Sequence, residues 1–306
     1  MKIGLVDLDT SHPASWIPIL REYGHEIVGV VDHGNVHPQG YADKFASEHN
    51  IPAVFSDLAT LADACDAAIV HSCNWDAHIA RAEPFVQHGK AVLIDKPLAG
   101  NRRDLDQLLA WSAQGARVTG GSALRFCQEI QAFLARDVSD RGSIETAFVA
   151  CGVDEFNYGI HAYSMLLGLM GPGVESVRCL GSQRQRRVQV NWADGRAGFV
   201  VVGTMDQWLP YAATVITNRC IEQMTPKIDV LYRALLDATL PYLAGQTEAP
   251  PVAMAELLLP ERCALAAMRS WCEGDRVVRL DEPDAGLGYD GPAFAAAYQR
   301  QRYPQK

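Results

Sequence analysis

Lys96 is the residue of this chain whose neighbours best suit it to chemistry. It follows the apolar run 91–94, which predicts a buried parallel strand, and it precedes a proline that keeps it out of a following helix. A lysine at the carboxyl end of such a strand can donate to a substrate hydroxyl or carbonyl, and burial lowers its pKa toward neutrality. The structural alternative is a surface lysine before a loop.

His161, four residues after Asn157, is a second candidate for proton transfer. That spacing predicts both side chains on one face of a helix, so that they could act together. An asparagine can orient an imidazole but, unlike an aspartate, adds no charge, so a weaker base is expected. Asp154 or Glu155 in the preceding turn could supply a carboxylate instead. The structural alternative is a satisfied histidine in an apolar core.

The elements that must position Lys96 form one strand-helix-strand unit. Residues 67–71 predict a strand, 72–78 a polar turn and 79–90 a helix that ends at Gly89. From residue 1 to about residue 122, short apolar runs alternate with helical patterns. This alternation is typical of a parallel sheet covered by helices. We therefore predict an α/β chain: a Rossmann-type doubly wound domain at 1–122, then an α+β domain with a largely antiparallel open sheet at 123–306.

The motifs around Lys96 are similar to those of the glucose-fructose oxidoreductase and inositol dehydrogenase family (Gfo/Idh/MocA). In that family a strand leads into T-P-N-x-x-H, a helix ends in G-K, and the next strand ends in E-K-P. The matching residues here are Asn74 and His78, Gly89 and Lys90, and Lys96 and Pro97. Asp95 replaces the usual glutamate. The motifs occur in the family's order and spacing.

The second half of the chain resembles the same family at two further places. Residues 122–126 resemble the segment that ends in R-F and crosses into the second domain, with Arg125 as its arginine. His161 matches the histidine of the family's D-x-G-x-H helix, and Asn157 replaces the aspartate. In the family this arginine commonly lies near the inter-domain cleft, although for Arg125 an ion-paired structural role is the favoured interpretation.

The resemblance implies an NAD-dependent oxidoreductase that transfers a hydride to or from a sugar, cyclitol or related polyol. Lys96 would polarise the reacting oxygen, His161 would pass the proton, and Asn157 would orient His161 or the substrate, with Arg125 as a further candidate for substrate binding. A homodimer or homotetramer through the C-terminal sheet is also implied. The residues expected at the cofactor are Asp9, Thr10, Ser11, His12, Asp32, Ser72, Asn74, His78, Asp95 and Lys96.

Asp32 bears on the choice of cofactor. It follows the predicted second strand, 26–31. In a dinucleotide fold a carboxylate at this place accepts from ribose hydroxyls and repels a 2'-phosphate, which favours NAD over NADP.

The turn after the first predicted strand departs from the family pattern. Members have G-x-G-x-x-G or a close variant, which lets the backbone approach a pyrophosphate at a helix N-terminus. Residues 7–13 read DLDTSHP, so that all three glycine positions are filled by other residues. We expect Asp7 and Asp9 to crowd and repel phosphates unless a basic side chain intervenes. Thr10, Ser11 and His12 could still donate to one.

Composition limits the partners of this chain of 306 residues. A net charge of −9 argues against nucleic acid and anionic membranes, which need a basic surface. The eight cysteines include no C-x-x-C pair and no cluster at zinc spacing, so no metal site is predicted and the thiols are expected to be reduced. Without an apparent signal peptide or membrane span, a cytoplasmic enzyme is expected.

Two alternatives to a dehydrogenase stay open on the sequence. An enzyme of the same fold could hold NAD tightly and use transient oxidation for elimination or glycoside hydrolysis. A non-catalytic sugar-binding or regulatory protein could instead have lost its cofactor site. Lys96 and His161 favour chemistry, whereas the absent glycines and Asn157 favour the second alternative.

Overall fold

Five short apolar runs form a parallel sheet with the strand order β2-β1-β3-β4-β5. The computed structural model describes residues 1–182, 184–204 and 206–304. The strands are β1 (Lys2–Val6), β2 (Glu26–Val31), β3 (Ala67–Val70), β4 (Ala91–Ile94) and β5 (Val118–Gly120). Every residue of β3 and β4 is buried, as expected for central parallel strands covered on both faces.

Helices alternate with these strands, as the sequence predicts for a Rossmann-type domain. They are α1 (His12–Glu22), α2 (Tyr41–Glu48), α3 (Leu58–Ala64), α4 (His78–Gln87) and α5 (Arg102–Ala113). Asp57 accepts a hydrogen bond from the Thr60 N–H to cap α3, and Asn101 caps α5 through the Asp104 N–H. The sequence predicts Asn101 as the cap of α5 and either Ser56 or Asp57 as the cap of α3, because these residues precede helical patterns.

The second sheet has seven strands in the order β11-β10-β6-β9-β8-β7-β12. The strands are β6 (Ile144–Ala150), β7 (Val174–Ser182), β8 (Gln185–Trp192), β9 (Ala197–Gly203), β10 (Ala212–Thr217), β11 (Ile221–Met224) and β12 (Val278–Arg279). Its pairs are antiparallel except β6 with β9. The predicted fold class, a doubly wound parallel sheet followed by a largely antiparallel one, is confirmed.

The remaining helices are α6 (Gln128–Ala135), α7 (Val138–Arg141), α8 (Gly159–Met170), α9 (Leu231–Leu243), α10 (Met254–Leu257), α11 (Leu259–Cys272) and α12 (Gly291–Arg302). Helix α8 is apolar and almost wholly buried, which makes it a rigid element for the histidine that it carries. In the described part of the chain, no helix has both the length and the apolar character that crossing a bilayer requires.

The chain divides into two compact units. The first comprises 1–121, 236–254 and 290–306, and the second comprises 122–235 and 255–289. The first boundary lies one residue before the predicted end of the first domain, but the two later segments differ from a continuous domain at 123–306. Residues 290–306 belong to the first unit because Phe294 and Tyr298 of α12 pack against the buried side chains of Val36 and Cys73. The polar composition of the chain after Pro283 predicts instead a tail that lies over the surface.

Gly120, the last residue of β5, allows the close approach that holds the end of β4 in place. Its φ is +144°, and a Cβ there would lie 1.9 Å from the carbonyl oxygen of Ile94, directly before the Asp95-Lys96 loop. Gly115 also has a positive φ, +86°, but nothing lies within 4 Å of the place of its Cβ.

We predict that Gly120→Ala lowers the free energy of unfolding by more than about 3 kcal/mol, because the methyl group would overlap backbone atoms that cannot move without displacing β4. Gly115→Ala, the matched control, should cost about 1 kcal/mol from backbone strain alone. Urea unfolding measures both. Equal losses in the two variants would show that the close approach at Gly120 does not constrain β4.

Candidate cofactor and active site

The turn after β1 places a side chain at each of three positions where the family has glycine, namely Asp7, Asp9 and His12. Asp7 and Asp9 are fully buried, and the His12 side chain is 16% exposed. Asp7 adopts a φ of +60°, a left-handed conformation that favours glycine and costs a non-glycine residue about 1 kcal/mol. The turn therefore keeps a glycine-like backbone at its first position.

Asp7 is held by two basic side chains. Its Oδ1 accepts from the His33 backbone N–H at 3.1 Å and lies 2.6 Å from His33 Nδ1, and its Oδ2 accepts from Arg81 Nε at 3.1 Å. Burial raises the pKa of Asp7, but the His33 hydrogen bond and the Arg81 charge outweigh it, and the net pKa is lowered. Asp7 is therefore an ionised, compensated carboxylate.

Asp9 is buried with less compensation. Its Oδ2 accepts from the Cys73 N–H at 2.9 Å and from the Ser72 hydroxyl at 3.3 Å, while Oδ1 has no hydrogen-bond partner among the described residues. Burial, with the nearby charge of Asp7, raises the pKa of Asp9 to about 6. This carboxyl is thus close to neutral at mildly acid pH.

His12 points from the start of α1 to the end of β4. Its Nδ1 lies 2.5 Å from Asp95 Oδ2, and the Nδ1 of buried His71 lies 3.3 Å from the same oxygen. Within the described residues, these three side chains form a group whose ligand atoms lie within 4.8 Å of one another, close enough to hold a metal ion. The sequence analysis, which searched for zinc spacings of cysteine and histidine, predicted no metal site.

Asp7 and Asp9, which were expected to crowd and repel phosphates, are both buried, and Arg81 donates to Asp7 Oδ2 as a basic side chain that compensates it. Their effect on a bound phosphate stays a prediction. Ser11, the exposed N-cap of α1, makes no side-chain cap, and half-buried Thr10 accepts from the His12 N–H at 3.2 Å. The N-terminus of α1 is thus a suitable place for an anion.

Asp32 lies at the carboxyl end of β2, where the sequence analysis expected it. It is partly exposed, and its Oδ1 accepts from the Leu8 N–H at 3.3 Å. Burial and the charge of Asp7 raise its pKa. The side chain is therefore tied to the turn while remaining accessible to a ribose hydroxyl.

The loop after β3 carries Ser72, Asn74 and His78, the other residues predicted near the cofactor. Ser72 is buried against Asp9, and half-buried Asn74 accepts from the Asp76 N–H. The buried ring of His78 lies 2.8 Å from the Ser72 carbonyl oxygen through Nε2 and 3.1 Å from the Leu98 carbonyl oxygen through Nδ1. His78 thus connects the loop after β3 to the loop that carries Lys96. Direct contact of Ser72, Asn74 or His78 with a cofactor stays a prediction.

Lys96 is partly exposed at the end of β4. Its backbone N–H donates to Asp95 Oδ1 at 2.8 Å, so Asp95 fixes the loop that presents the lysine. Burial raises the pKa of Asp95, but the charge of His12 and the hydrogen bonds from His12 and His71 outweigh it, and the net pKa lies well below the ordinary value. The buried carboxylate of Asp95 therefore contacts both His12, at the start of α1, and the backbone of Lys96.

In the second unit, His161 lies in the first turn of α8. Its Nδ1 is 2.6 Å from the Ser122 hydroxyl, and the ring of Tyr211 meets it edge-on at 5.3 Å. Asn157 lies in the turn before α8, which begins at Gly159, and not on the helix as expected, while its pairing with His161 stays a prediction. That turn closes when Asp154 accepts from the Phe156 and Tyr158 N–H groups.

Neither carboxylate that could have replaced the missing aspartate is shown bound to His161. Asp154 caps its own turn, and Glu155 accepts from Arg186 Nε at 3.0 Å. The orienting group in the structure is the Ser122 hydroxyl, which also accepts from the Leu124 N–H.

Arg125 is buried, 6% exposed, and ion-paired with Glu256. Burial lowers its pKa, which the Glu256 charge partly offsets. This is the arrangement of an ion-paired structural arginine, and a role for Arg125 in substrate binding stays a prediction.

Four residues of these networks were missed by sequence analysis: His33, His71, Arg81 and Ser122. His33 and His71 directly follow or end predicted strands, so their positions alone could have placed them at the crevice. Arg81 and Ser122 carry no such signal, because their partners Asp7 and His161 are far away in sequence.

We predict that Asp9→Asn stabilises the protein at alkaline pH. The folded pKa of Asp9, about 6, exceeds its ordinary value of 3.8, so the folded state binds the proton more tightly and stability falls as pH rises between these values. Above pH 7 the variant should be more stable by about 2 kcal/mol, since the amide oxygen still accepts from Cys73. The gain should vanish near pH 4.

Chemical denaturation across this pH range tests the prediction, with the surface substitution Asp63→Asn as control. A gain at alkaline pH that persists unchanged at pH 4 would show that the charge of Asp9 is not its cause.

Known proteins share the Rossmann domain that carries the residues of the first unit. The family model GFO_IDH_MocA, described as an oxidoreductase family with an NAD-binding Rossmann fold, matches residues 3–120. YceM of Salmonella typhimurium is 36% identical over 115 residues, which is 37% of this chain and 36% of YceM. The scyllo-inositol 2-dehydrogenase (NADP(+)) IolU of Bacillus subtilis is 38% identical over 71 residues, 22% of this chain and 21% of IolU.

The similarity of fold extends over nearly the whole chain. Myo-inositol dehydrogenase from Lactobacillus casei, solved with NAD(H) and myo-inositol, superposes with a TM-score of 0.77 at 16% identity, covering 93% of this chain and 98% of that one. This chain spans only 36% of the length of YceM and 21% of the length of IolU. The family expected from the motifs is confirmed for the Rossmann domain, since residues 3–120 match the model of the Gfo/Idh/MocA oxidoreductase family.

Proposed function

We propose that the protein is an NAD(P)-dependent dehydrogenase, with NAD favoured, that interconverts a CH–OH group and a carbonyl of a cyclitol, sugar or related polyol. The observation that carries the proposal is the position of Lys96. This partly exposed lysine lies at the carboxyl end of β4, and its backbone N–H donates to the buried carboxylate of Asp95. Ligands of open α/β sheets bind at that edge. The names of relatives and structural neighbours, IolU and the Lactobacillus casei enzyme, support the substrate class.

The residues of the turn suit a dinucleotide in spite of the missing glycines. A diphosphate would lie at the N-terminus of α1, where Ser11 makes no side-chain cap and Thr10 accepts from the His12 N–H. The inward carboxylates of Asp7 and Asp9 leave that place free, and Arg81 compensates the first of them. Asp32 would accept from ribose hydroxyls and would repel a 2'-phosphate, which supports NAD over NADP. The cofactor supplies the hydride chemistry.

Lys96 is assigned to the reacting oxygen. In oxidation its amine would accept the hydroxyl proton, and in reduction its ammonium would donate to the carbonyl oxygen. The hydrogen bond between its backbone and Asp95 limits the positions of the loop, so that less entropy is lost on binding.

His161 is assigned to proton passage, with Ser122 as its positioning residue. The hydroxyl lies 2.6 Å from Nδ1 and fixes the orientation of the ring, and Nε2 would exchange the proton. A hydroxyl adds no negative charge, so it does not raise the basicity of the ring as an aspartate would. A role for Asn157 in orienting substrate belongs to the same proposal.

We predict that the purified protein reduces NAD in the presence of at least one cyclitol or polyol, with a higher kcat/KM for NAD than for NADP. Initial rates with myo-inositol, scyllo-inositol and related polyols test this by the absorbance of NADH. Lys96→Ala should lower kcat at least about 10²-fold, because the group that stabilises charge at the reacting oxygen is lost. The surface variant Lys44→Ala is the control.

Full activity of the Lys96→Ala variant would show that Lys96 does not act on the reacting oxygen. Binding of NAD without oxidation of any polyol would contradict the dehydrogenase and favour the lyase or the regulatory alternative.

We predict that Ser122→Ala lowers kcat about tenfold with little change in the KM for NAD, because a misoriented imidazole slows proton passage without touching the cofactor. Ser122→Thr keeps the hydroxyl and should recover part of the loss. Steady-state kinetics and thermal unfolding together test this. Equal kcat in wild type and Ser122→Ala would show that Ser122 serves only as a cap for the Leu124 N–H.

A further inference from the structure

Helix α12 has no role in the proposed function, although it belongs to the same unit as the candidate cofactor site. It lies outside residues 3–120, which match the family model, and the chain returns to the first unit to form it. Its side chains contact the loops after β2 and β3, at the edge of the parallel sheet where the cofactor is proposed to bind. The contacts of α12 therefore bear on cofactor binding.

Apolar side chains of α12 connect these two loops. Phe294 and Tyr298 pack against Val36, in the loop after β2, and against Cys73, in the loop after β3. The ring of Phe294 also meets that of Trp75 at 5.1 Å. Because β2 and β3 flank β1 in the sheet, their loops lie on either side of the turn at which the diphosphate is proposed to bind.

The start of α12 lies against the loop after β3. The N–H of Gly291 donates to Asp76 Oδ2 at 3.4 Å, and a Cβ at Gly291 would lie only 2.4 Å from Asn74 Oδ1. Asn74 is one of the residues predicted at the cofactor. The first turn of α12 is therefore in direct contact with a loop of the candidate site.

At its other end, α12 reaches the turn after β1 through one histidine. Nε2 of buried His37 lies 3.0 Å from the Leu8 carbonyl oxygen, which can only accept, so Nε2 carries a proton. Burial and the charge of Arg302 lower the pKa of His37, as fits a neutral ring. Its Nδ1 therefore accepts from the hydroxyl of Tyr303, directly after α12, at 2.8 Å, and Tyr41 stacks on the ring at 3.6 Å.

These hydrogen bonds continue to the carboxylate that is assigned to the ribose. The Leu8 carbonyl oxygen accepts from His37, and the Leu8 N–H donates to Asp32 Oδ1 at 3.3 Å. Tyr303, His37, Leu8 and Asp32 thus form one hydrogen-bonded chain from the end of α12 to the end of β2. Loss of the Tyr303 hydroxyl would leave a buried acceptor on His37 without this donor, which loosens the chain.

We propose that α12 and Tyr303 position the adenosine half of the dinucleotide site. The proposal rests on the cofactor part of the proposed function. The helix holds the loops on either side of the turn after β1, and Tyr303, a positioning residue, acts on Asp32 through His37 and Leu8. Binding of the adenosine diphosphate moiety and docking of α12 then stabilise each other, because both depend on the same arrangement of the two loops.

The first test is isothermal titration with ADP-ribose, which has the adenosine and both phosphates of NAD but no nicotinamide. Tyr303→Phe should raise the Kd for ADP-ribose about fivefold, because the chain that holds Asp32 is broken. Tyr298→Phe removes a hydroxyl from the same helix outside this chain, and its Kd should stay within about twofold of the wild type. A merely structural role would lower the free energy of unfolding of Tyr303→Phe and leave the Kd of the folded variant unchanged, which would overturn the proposal.

The second test uses the wild-type protein alone. Amide hydrogen exchange, followed by peptide mass spectrometry, measures the opening of individual helices. Saturating ADP-ribose should slow exchange in residues 291–302 at least about fivefold more than in α5, because ligand binding and helix docking are linked. Equal protection of α12 and α5 by bound ADP-ribose would overturn the proposal.

The outcomes separate this inference from the proposed function. A protein that binds ADP-ribose with protection of α12 but oxidises no polyol retains the inference and loses the dehydrogenase function. A wild type that oxidises a polyol, with an unchanged Kd for ADP-ribose in Tyr303→Phe, overturns the inference alone. Absence of ADP-ribose binding to the wild type would overturn the inference together with the cofactor site.

Discussion

The turn after β1 depends on burying three polar side chains at positions where glycine would avoid the problem. Asp7, Asp9 and His12 each contact a different loop, reaching His33 after β2, Ser72 and Cys73 after β3, and Asp95 after β4. Through these side chains the turn is tied to the loops that follow β2, β3 and β4.

Charge decides what this network can bind. Asp7 is compensated by Arg81 and His33, and Asp95 by two histidines, but Asp9 is not, and its raised pKa reflects the cost of its burial. The carboxylates of Asp7 and Asp9 are buried, whereas Ser11 at the start of α1 is exposed and Thr10 is partly exposed. A diphosphate at this helix terminus would be attracted by the helix dipole.

Local patterns in the sequence were sufficient for the fold class, the caps at Asp57 and Asn101, and the places of Asp32 and Lys96 at strand ends. Those features depend on a few neighbouring residues. Asn157 was expected on the helix of His161, but a turn that Asp154 closes places it before the start of α8. Ser122, Arg81 and the return of α12 to Val36 and Cys73 depend on contacts between residues far apart in sequence, which no local pattern encodes.

The central claim is that a turn without glycines still forms a dinucleotide site. Isothermal titration of the purified protein with NAD, NADH and NADPH tests it most directly, once mass spectrometry has shown that no nucleotide co-purifies. The account predicts micromolar binding of NAD(H), with NADPH at least about tenfold weaker because of Asp32. No binding of any of the three, or tighter binding of NADPH, would contradict it.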